Sequence, residues 1–303
     1  MIEKNDFQRK IADLLPNIEL KMNEMLSKHT SFRIGGAAEV MAFPKSADEL
    51  SLILKAAKGL GVQPVILGAG TNVLAPDEGL SGVVICLKDC LAGMERLDDC
   101  SIRIYAGVTM ARAANFAANH GLSGLEFAHG IPGTVGGGVY MNAGAYGGEI
   151  CQVCTQVAVM NFDGNQSLLS NEEMGFSYRN SAIQREKLIV LYADFSLHPQ
   201  PEVAIREKMQ DLMTKRRASQ PLDLPSAGSA FKRPATGYAA AMIDGAGLKG
   251  FQIGGAAVSE KHAGFVVNMG GATAADVRAL LDAVADRVEQ LHGIRLEPEV
   301  RIW

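Results

Sequence analysis

The sequence predicts an α+β chain, and three observations carry that reading. Its 303 residues suffice for one large domain or two to three ordinary ones. Residues 37–87 read as strand, helix, strand, glycine loop and strand, and a second α/β stretch follows. The 33 glycines exceed the usual share of about 7% and gather in clusters between Val, Ile and Phe. Clustered glycine in an ordered, apolar chain marks backbone that approaches something closely.

The elements follow in order. Phe7, Ile11, Leu14, Leu15 and Ile18 recur at helical spacing, with Asn5-x-x-Gln8 as a candidate cap. Residues 40–44 are β-like. Ser46-x-x-Glu49 is a capping box opening a helix through Leu50, Ile53, Leu54 and Ala57, closed near Gly59 and Gly61. Residues 65–67 form a short buried-type strand running into Gly68-Ala69-Gly70-Thr71-Asn72, and 83–85 repeat the strand pattern. Residues 102–106 alternate as a strand, and Thr109 caps a helix through Ala113, Phe116 and Ala117 that ends at Gly121. Residues 153–162 and 188–197 read as strands of one sheet, 201–217 as a charged amphipathic helix, 237–247 as a short Ala-rich segment and 264–268 as a strand. Val277, Leu280, Leu281, Val284, Val288 and Leu291 form a helical stripe stopped by Gly293, and 296–303 reads as a last strand.

Composition excludes several classes. Lys and Arg total 29 against 33 Asp and Glu, a net charge of −4 with the signs interspersed, which removes the electrostatic footprint of nucleic-acid binding. With 48% hydrophobic and 20% charged residues the chain is globular rather than disordered. No apolar run reaches the length of a transmembrane helix, so no membrane insertion is expected. The start, Met1 to Asp6, lacks the basic and apolar regions of a secretory signal, and the expected location is the cytoplasm. The five cysteines, Cys86, Cys90, Cys100, Cys151 and Cys154, are an odd number and argue against a disulfide framework. Cys151-x-x-Cys154 has no second pair or clustered His, so it reads as small thiols near strands, and no metal site is expected.

The glycine loops carry the chemistry. Gly68-Ala69-Gly70 is followed by Val73 where the third glycine of a Rossmann turn belongs, and no P-loop occurs anywhere. A glycine-rich turn after a strand remains, with polar tips at Thr71 and Asn72, able to present successive N–H groups to a diphosphate. Residues 130–138 (GIPGTVGGG) read as a second loop free of side-chain bulk, and 142–148 (NAGAYGG) as a third. Three such loops suit one extended ligand with a central diphosphate, and a dinucleotide bound without a Rossmann fingerprint points to a flavin. Further on, Tyr178 and Arg179 offer a phenol beside a guanidinium suited to carboxylates. Ser229 places a small hydroxyl next to Gly228, just before Lys232 and Arg233. Glu297 and Glu299 share a face by the two-residue period of a strand, with Pro298 between them.

Taken together, these residues resemble one family, the UDP-N-acetylenolpyruvoylglucosamine reductases (MurB), in its short form without an insertion after the Tyr-Arg-x-Ser block. The matching blocks occur in family order: residues 29–36 (HTSFRIGG), 68–74 (GAGTNVL), 130–137 (GIPGTVGG), 142–147 (NAGAYG), 178–181 (YRNS), 228–232 (GSAFK), 261–268 (KHAGFVVN) and 299–301 (EVR). They cover the chain from about residue 29 onward. Departures are His129 where a small residue is usual, Gly138 in place of Ala, and Arg233 where the longer form has Asn.

The resemblance implies a two-part FAD-binding domain of the vanillyl-alcohol-oxidase (PCMH) type followed by a smaller α/β substrate-binding domain. Its boundaries would be 1–200 (lobes 1–95 and 96–200), 201–293, and a terminal strand 294–303 returning to the FAD domain. It implies FAD, NADPH as hydride donor and UDP-N-acetylglucosamine enolpyruvate as acceptor; glycine loops without an attachment residue point to non-covalent FAD, and the oligomeric state is left open, with a monomer favoured. Arg179, Ser229 and Glu299 match the catalytic positions; Tyr178, Arg217, Lys232 and His262 match or adjoin the substrate positions. The cofactor positions are Gly68, Ala69, Gly70, Thr71 and Asn72; Gly130, Ile131, Pro132, Gly133, Thr134, Gly136 and Gly137; and Asn142, Ala143 and Gly144. Two rivals are another flavin-dependent oxidase or dehydrogenase of this fold and a non-catalytic flavin-binding module. The first lacks an attachment motif around His129, and the second leaves Arg179, Ser229 and Glu299 without a purpose.

Overall fold

The structure, a computed structural model, describes residues 4–303. The described chain folds as two compact units, the first made of residues 4–23, 39–69 and 81–215, the second of 24–38, 70–80 and 216–303.

The first unit contains helices α1 (Lys4–Leu14), α2 (Ala47–Gly59), α3 (Met110–Asn119), α4 (Val135–Tyr140), α5 (Asn171–Met174) and α6 (Ala182–Arg185), and most of α7 (Glu202–Ser219). Asn5 lies inside α1 rather than ahead of it, and its side chain, like residues 1–3, is outside the described part. Ser46 caps α2 by accepting from Glu49 N–H, but the Glu49 carboxylate takes Lys45 N–H at 2.7 Å, so only half of the expected box forms. Thr109 caps α3 as its sequence position predicts.

Two sheets organise this unit. In one, Ala37–Phe43 lies between Glu19–Met25 and Leu80–Cys86, and the last of these pairs in parallel with Val65–Leu67. The other is an antiparallel sheet of five strands in the order Gln166–Ser170, Cys154–Met160, Ile189–Ser196, Ser101–Tyr105 and Met94–Arg96. Residues 153–162 and 188–197 thus do lie side by side. Their alternating apolar residues bury Val157, Val159, Ala193 and Phe195 against α3 and α4, while Ala158, Met160, Ile189 and Leu191 face a core shared with α1 and α2.

The second glycine segment is only half a loop. Residues from Val135 onward form α4, with Thr134 as its cap, although glycine is a poor helix former. Packing overrides propensity here: a Cβ on Gly136 would stand 2.9 Å from Ala106 Cβ, so the helix needs bare backbone to lie this close.

The second unit is built on an antiparallel sheet in the order Ser226–Ser229, Phe265–Asn268, Ala256–Val258 and Gln252–Ile253. It is covered by α8 (Ala239–Gly245) and α9 (Ala274–His292), whose stripe Val277, Leu280, Leu281, Val284 and Val288 is buried and whose end is Gly293 at φ 68°. The expected last strand is divided between two partners. Pro298 bridges to Phe231, while Arg301–Ile302 pair in parallel with Val73–Leu74. Changing partners within a few residues breaks one strand into two short contacts, and Pro298 supplies no N–H to a ladder.

Candidate active site

In the first unit, Tyr178 and Arg179 form the tip of a four-residue turn. Ser177 and Asn180 exchange backbone hydrogen bonds at 3.1 Å each, and Arg179 takes φ 55°, a left-handed conformation costly for a residue with a Cβ. The turn is sewn to the glycine segments by side chains. Gln184 Nε2 donates to Arg179 O at 3.0 Å and to Tyr140 O at 2.6 Å, and Ser181 Oγ donates to Tyr140 O at 2.9 Å. Asn142, buried and at φ 43°, donates through Nδ2 to Glu149 Oε2 (3.0 Å) and Ser177 O (3.3 Å), and accepts from Cys151 N–H (3.0 Å). Its side-chain amide therefore braces the protein, and its N–H donates to Val139 O at 3.2 Å. The Arg179 guanidinium lies 5.1 Å from the exposed Tyr178 ring.

The other glycine loops are tightly seated. A Cβ on Gly68 would stand 2.8 Å from Thr134 Oγ1, so the first and second loops meet at backbone distance within this unit. Thr134 Oγ1 accepts Gly137 N–H, and Met110 N–H donates to Gly133 O at 3.0 Å. The Nδ1 atom of His129, immediately before this loop, is buried without a partner, and burial lowers the affinity of its ring for a proton. All five cysteines are free, and burial pushes the Cys154 thiol up to about 12.

In the second unit, Ser229 ends a strand that contains a bulge. Ser226 pairs with Val267 and Ser229 with Phe265, so one extra residue sits on the Ser229 side, with Gly228 at φ 77°. Such a bulge re-aims the next side chain, and Ser229 is exposed while Ala227 and Ala230 are buried. Glu299, half-buried, donates its N–H to Ala230 O at 2.8 Å. Glu297 is exposed, and its carboxylate meets Lys232 Nζ at 3.0 Å. That pairing compensates Lys232, the cation placed nearest Ser229 by sequence.

Lys261 Nζ donates to Arg217 O at 2.6 Å, which ties the Arg217 segment to the turn carrying His262. His262 Nδ1 accepts Gly264 N–H at 3.1 Å, which puts the proton of the neutral ring on Nε2, and burial holds its pKa below the ordinary value. Gly70 at φ 60° admits no side chain, since a Cβ would be 2.2 Å from His29 O.

Family models match both parts of the chain: an FAD binding domain over residues 38–169 and the C-terminal domain of UDP-N-acetylenolpyruvoylglucosamine reductase over 220–303. The UDP-N-acetylenolpyruvoylglucosamine reductase of Syntrophomonas wolfei is 44% identical over 292 residues, 96% of this chain and 97% of that protein. This chain belongs to the UDP-N-acetylenolpyruvoylglucosamine reductase family. The enzyme of Latilactobacillus sakei is 45% identical over 94% of this chain and 93% of its own. The crystal structure of the Thermus caldophilus reductase superposes with a TM-score of 0.77 at 32% identity, covering 95% of this chain and 99% of that one.

As a member of that family, the chain is an FAD-dependent oxidoreductase with NADPH as reductant, and its α+β fold is the one the resemblance implies. The residues fit a flavin dinucleotide: backbone without side chains at Gly68, at Gly133 (φ 136°) and at Gly137 in the first turn of α4, a hydroxyl at Thr134, and the unpartnered buried Nδ1 of His129. Among the described residues no helix is long and apolar enough to cross a membrane. Sequence reasoning missed the braces Gln184 and the side-chain use of Asn142; neither has a local signal, because their partners lie up to 44 positions away.

Proposed function

We propose that Arg179, Ser229 and Glu299 carry the chemistry of this reductase, which converts UDP-N-acetylglucosamine enolpyruvate to UDP-N-acetylmuramate with NADPH in peptidoglycan precursor synthesis. The observation behind this reading is a likeness that runs through both parts of the chain, 96% of its length, to an enzyme bearing the reaction in its name. FAD, held by the glycine segments around Gly68, Gly133 and Asn142, would supply the hydride chemistry between NADPH and C3 of the enolpyruvyl group.

The remaining work falls to side chains. Hydride addition at C3 leaves negative charge at C2, delocalised into the substrate carboxylate. Arg179, a permanent cation with a planar fork, stabilises that charge where it develops. Its support is a turn held in an unfavourable conformation by Gln184, the kind of strain found where a side chain must be aimed. Ser229 delivers the proton to C2 as general acid; its exposure at a bulge supports the assignment. Glu299 orients Arg179 or a water. Tyr178, Arg217, Lys232 and His262 hold the nucleotide sugar, with His262 offering an Nε2–H donor.

Gly68, Ala69, Gly70, Thr71, Asn72, Gly130, Ile131, Pro132, Gly133, Thr134, Gly136, Gly137, Asn142, Ala143 and Gly144 hold FAD without a covalent bond. We further assign 1–200 to FAD binding, 201–293 to substrate, and 294–303 to a strand returning to the FAD domain, in a monomer working in the cytoplasm, where NADPH and UDP-sugars are found. The test is anaerobic reduction by NADPH followed by the enolpyruvyl substrate. The flavin absorbance should bleach and then recover with UDP-N-acetylmuramate as product; recovery only on admitting O₂ would point to an oxidase instead.

A further inference from the structure

Glu299 is held from two directions inside the second unit. Its own N–H donates to Ala230 O at 2.8 Å, and Lys232 N–H donates to Glu297 O at 2.9 Å, which fastens 297–299 alongside the Ser229 segment. Beyond that point Asn72 takes over. Its Nδ2 donates to Glu299 O at 3.2 Å, and its backbone carbonyl accepts Arg301 N–H at 2.9 Å. Arg301 and Ile302 then pair with Val73 and Leu74, and Trp303 N–H reaches Leu74 O at 3.1 Å. One residue therefore brackets the glutamate, at its carbonyl and at the amide two positions on.

The loop that carries Asn72 is anchored at its far end as well. The Asp77 carboxylate accepts Ala274 N–H at 2.7 Å and Ala275 N–H at 3.1 Å at the start of α9, and Gly36 N–H donates to Pro76 O at 2.9 Å. At the near end, Gly70 sits against His29 with no room for a side chain. Anchored at both ends, the loop offers the tail one docking place, set by the order of its tip.

We propose that Asn72 is a positioning residue for Glu299: it pins the terminal strand to the Gly70–Leu74 loop, so that ordering of this loop by FAD and placement of the glutamate are coupled. The coupling follows from linkage, since a ligand that favours the ordered loop favours whatever is docked on it. The inference rests on the reading that Glu299 acts in the substrate step.

The test combines hydrogen exchange with single-turnover kinetics. In the wild-type chain, amides of 299–303 should exchange several-fold more slowly with FAD bound than without. In Asn72→Ala at saturating FAD, which removes the side-chain bond to Glu299 O and keeps the backbone pairing of Arg301 and Trp303, that difference should shrink, while α9 peptides stay unchanged. Reoxidation of the reduced flavin by the enolpyruvyl substrate should slow about tenfold, the scale of one lost hydrogen bond. A chain ending at Val300 should show the same slowing, and it carries the test if Asn72→Ala fails to fold. Asn72→Ala combined with Glu299→Gln should be no slower than Glu299→Gln alone, whereas a general structural defect would multiply. Equal tail exchange in wild type and Asn72→Ala, or multiplying rates, overturns the inference. If Glu299→Gln slows the substrate step but neither Asn72→Ala nor the shortened chain does, the coupling fails and the role of Glu299 stands. If Glu299→Gln has no effect, that role fails and takes the inference with it.

Discussion

The amide of Glu299 donates to the carbonyl of Ala230 at 2.8 Å, so the proposed acid Ser229 and the glutamate sit on backbones that are hydrogen-bonded one residue apart. The glutamate belongs to a tail and the serine to a sheet strand. The contact fixes their separation through main chain rather than through flexible side chains, and this geometry suits a division of labour between proton delivery and orientation.

Ser229→Ala should separate the two half-reactions. Flavin reduction by NADPH needs no proton at C2, so bleaching should stay within a few-fold of wild type. Recovery on adding the enolpyruvyl substrate should slow by about 10² to 10⁴-fold, the usual worth of a general acid. Ser229→Cys should regain part of the rate. Stopped-flow absorbance follows both phases, and equal slowing of both would make the serine structural.

The two tail glutamates should behave differently. Glu299→Gln is expected to keep the fold and FAD but slow reoxidation by substrate. Glu297→Gln removes only an exposed pair with Lys232, a contact worth about 0–1 kcal/mol, and should be nearly silent in both rate and melting temperature. A sensitive Glu297 would show that the catalytic role had been given to the wrong acid.

Arg217→Ala should weaken binding of the enolpyruvyl substrate while FAD content stays normal. Arg217 is exposed, and its backbone carbonyl accepts from Lys261, a contact that the substitution leaves in place. Loss of flavin on purification is the result that sinks this assignment.

Acid precipitation of the holoenzyme should leave yellow colour in the supernatant. The reason is that the glycine loops offer backbone and hydroxyl contacts, and the sequence around His129 does not resemble an attachment site. Colour in the pellet would mean a covalent bond.

His262 should titrate below the ordinary histidine value of 6.5, because burial disfavours its charged form. The unfolded chain then takes up this proton first as pH falls. Stability tied to His262 is therefore intact above pH 6.5 and lost progressively below it, as the native ring resists protonation. Proton NMR of the His262 ring gives the midpoint, and melting from pH 8 to 5 should be less pH-sensitive in His262→Gln than in wild type. A midpoint at or above 6.5 would contradict this account.

The candidate site is legible in the sequence as blocks. Each glycine loop, the Tyr178-Arg179 turn and the Ser229 strand stand in the sequence as short runs, because turns and close backbone approach select residue types locally. How the blocks are braced is not. Gln184 on Tyr140, Asn142 on Ser177 and Asp77 on Ala274 are contacts between residues that no periodicity relates.

By itself the sequence determined α2 and α3 with their Ser46 and Thr109 caps, the stripe of α9 and its stop at Gly293, the strands 154–160 and 189–196, and the three glycine segments. Those features depend on neighbours within a turn or on a two-residue alternation. Only the tertiary structure decided that residues 24–38 and 70–80 pack with 216–303, that Val135–Tyr140 is a helix despite its glycines, and that the Gly228 bulge turns Ser229 outward. It also decided that the tail divides its pairing between Phe231 and Val73–Leu74. The physical reason is distance along the chain: Asn72 and Glu299 are 227 positions apart, and a hydrogen bond between them exists only after everything between has folded.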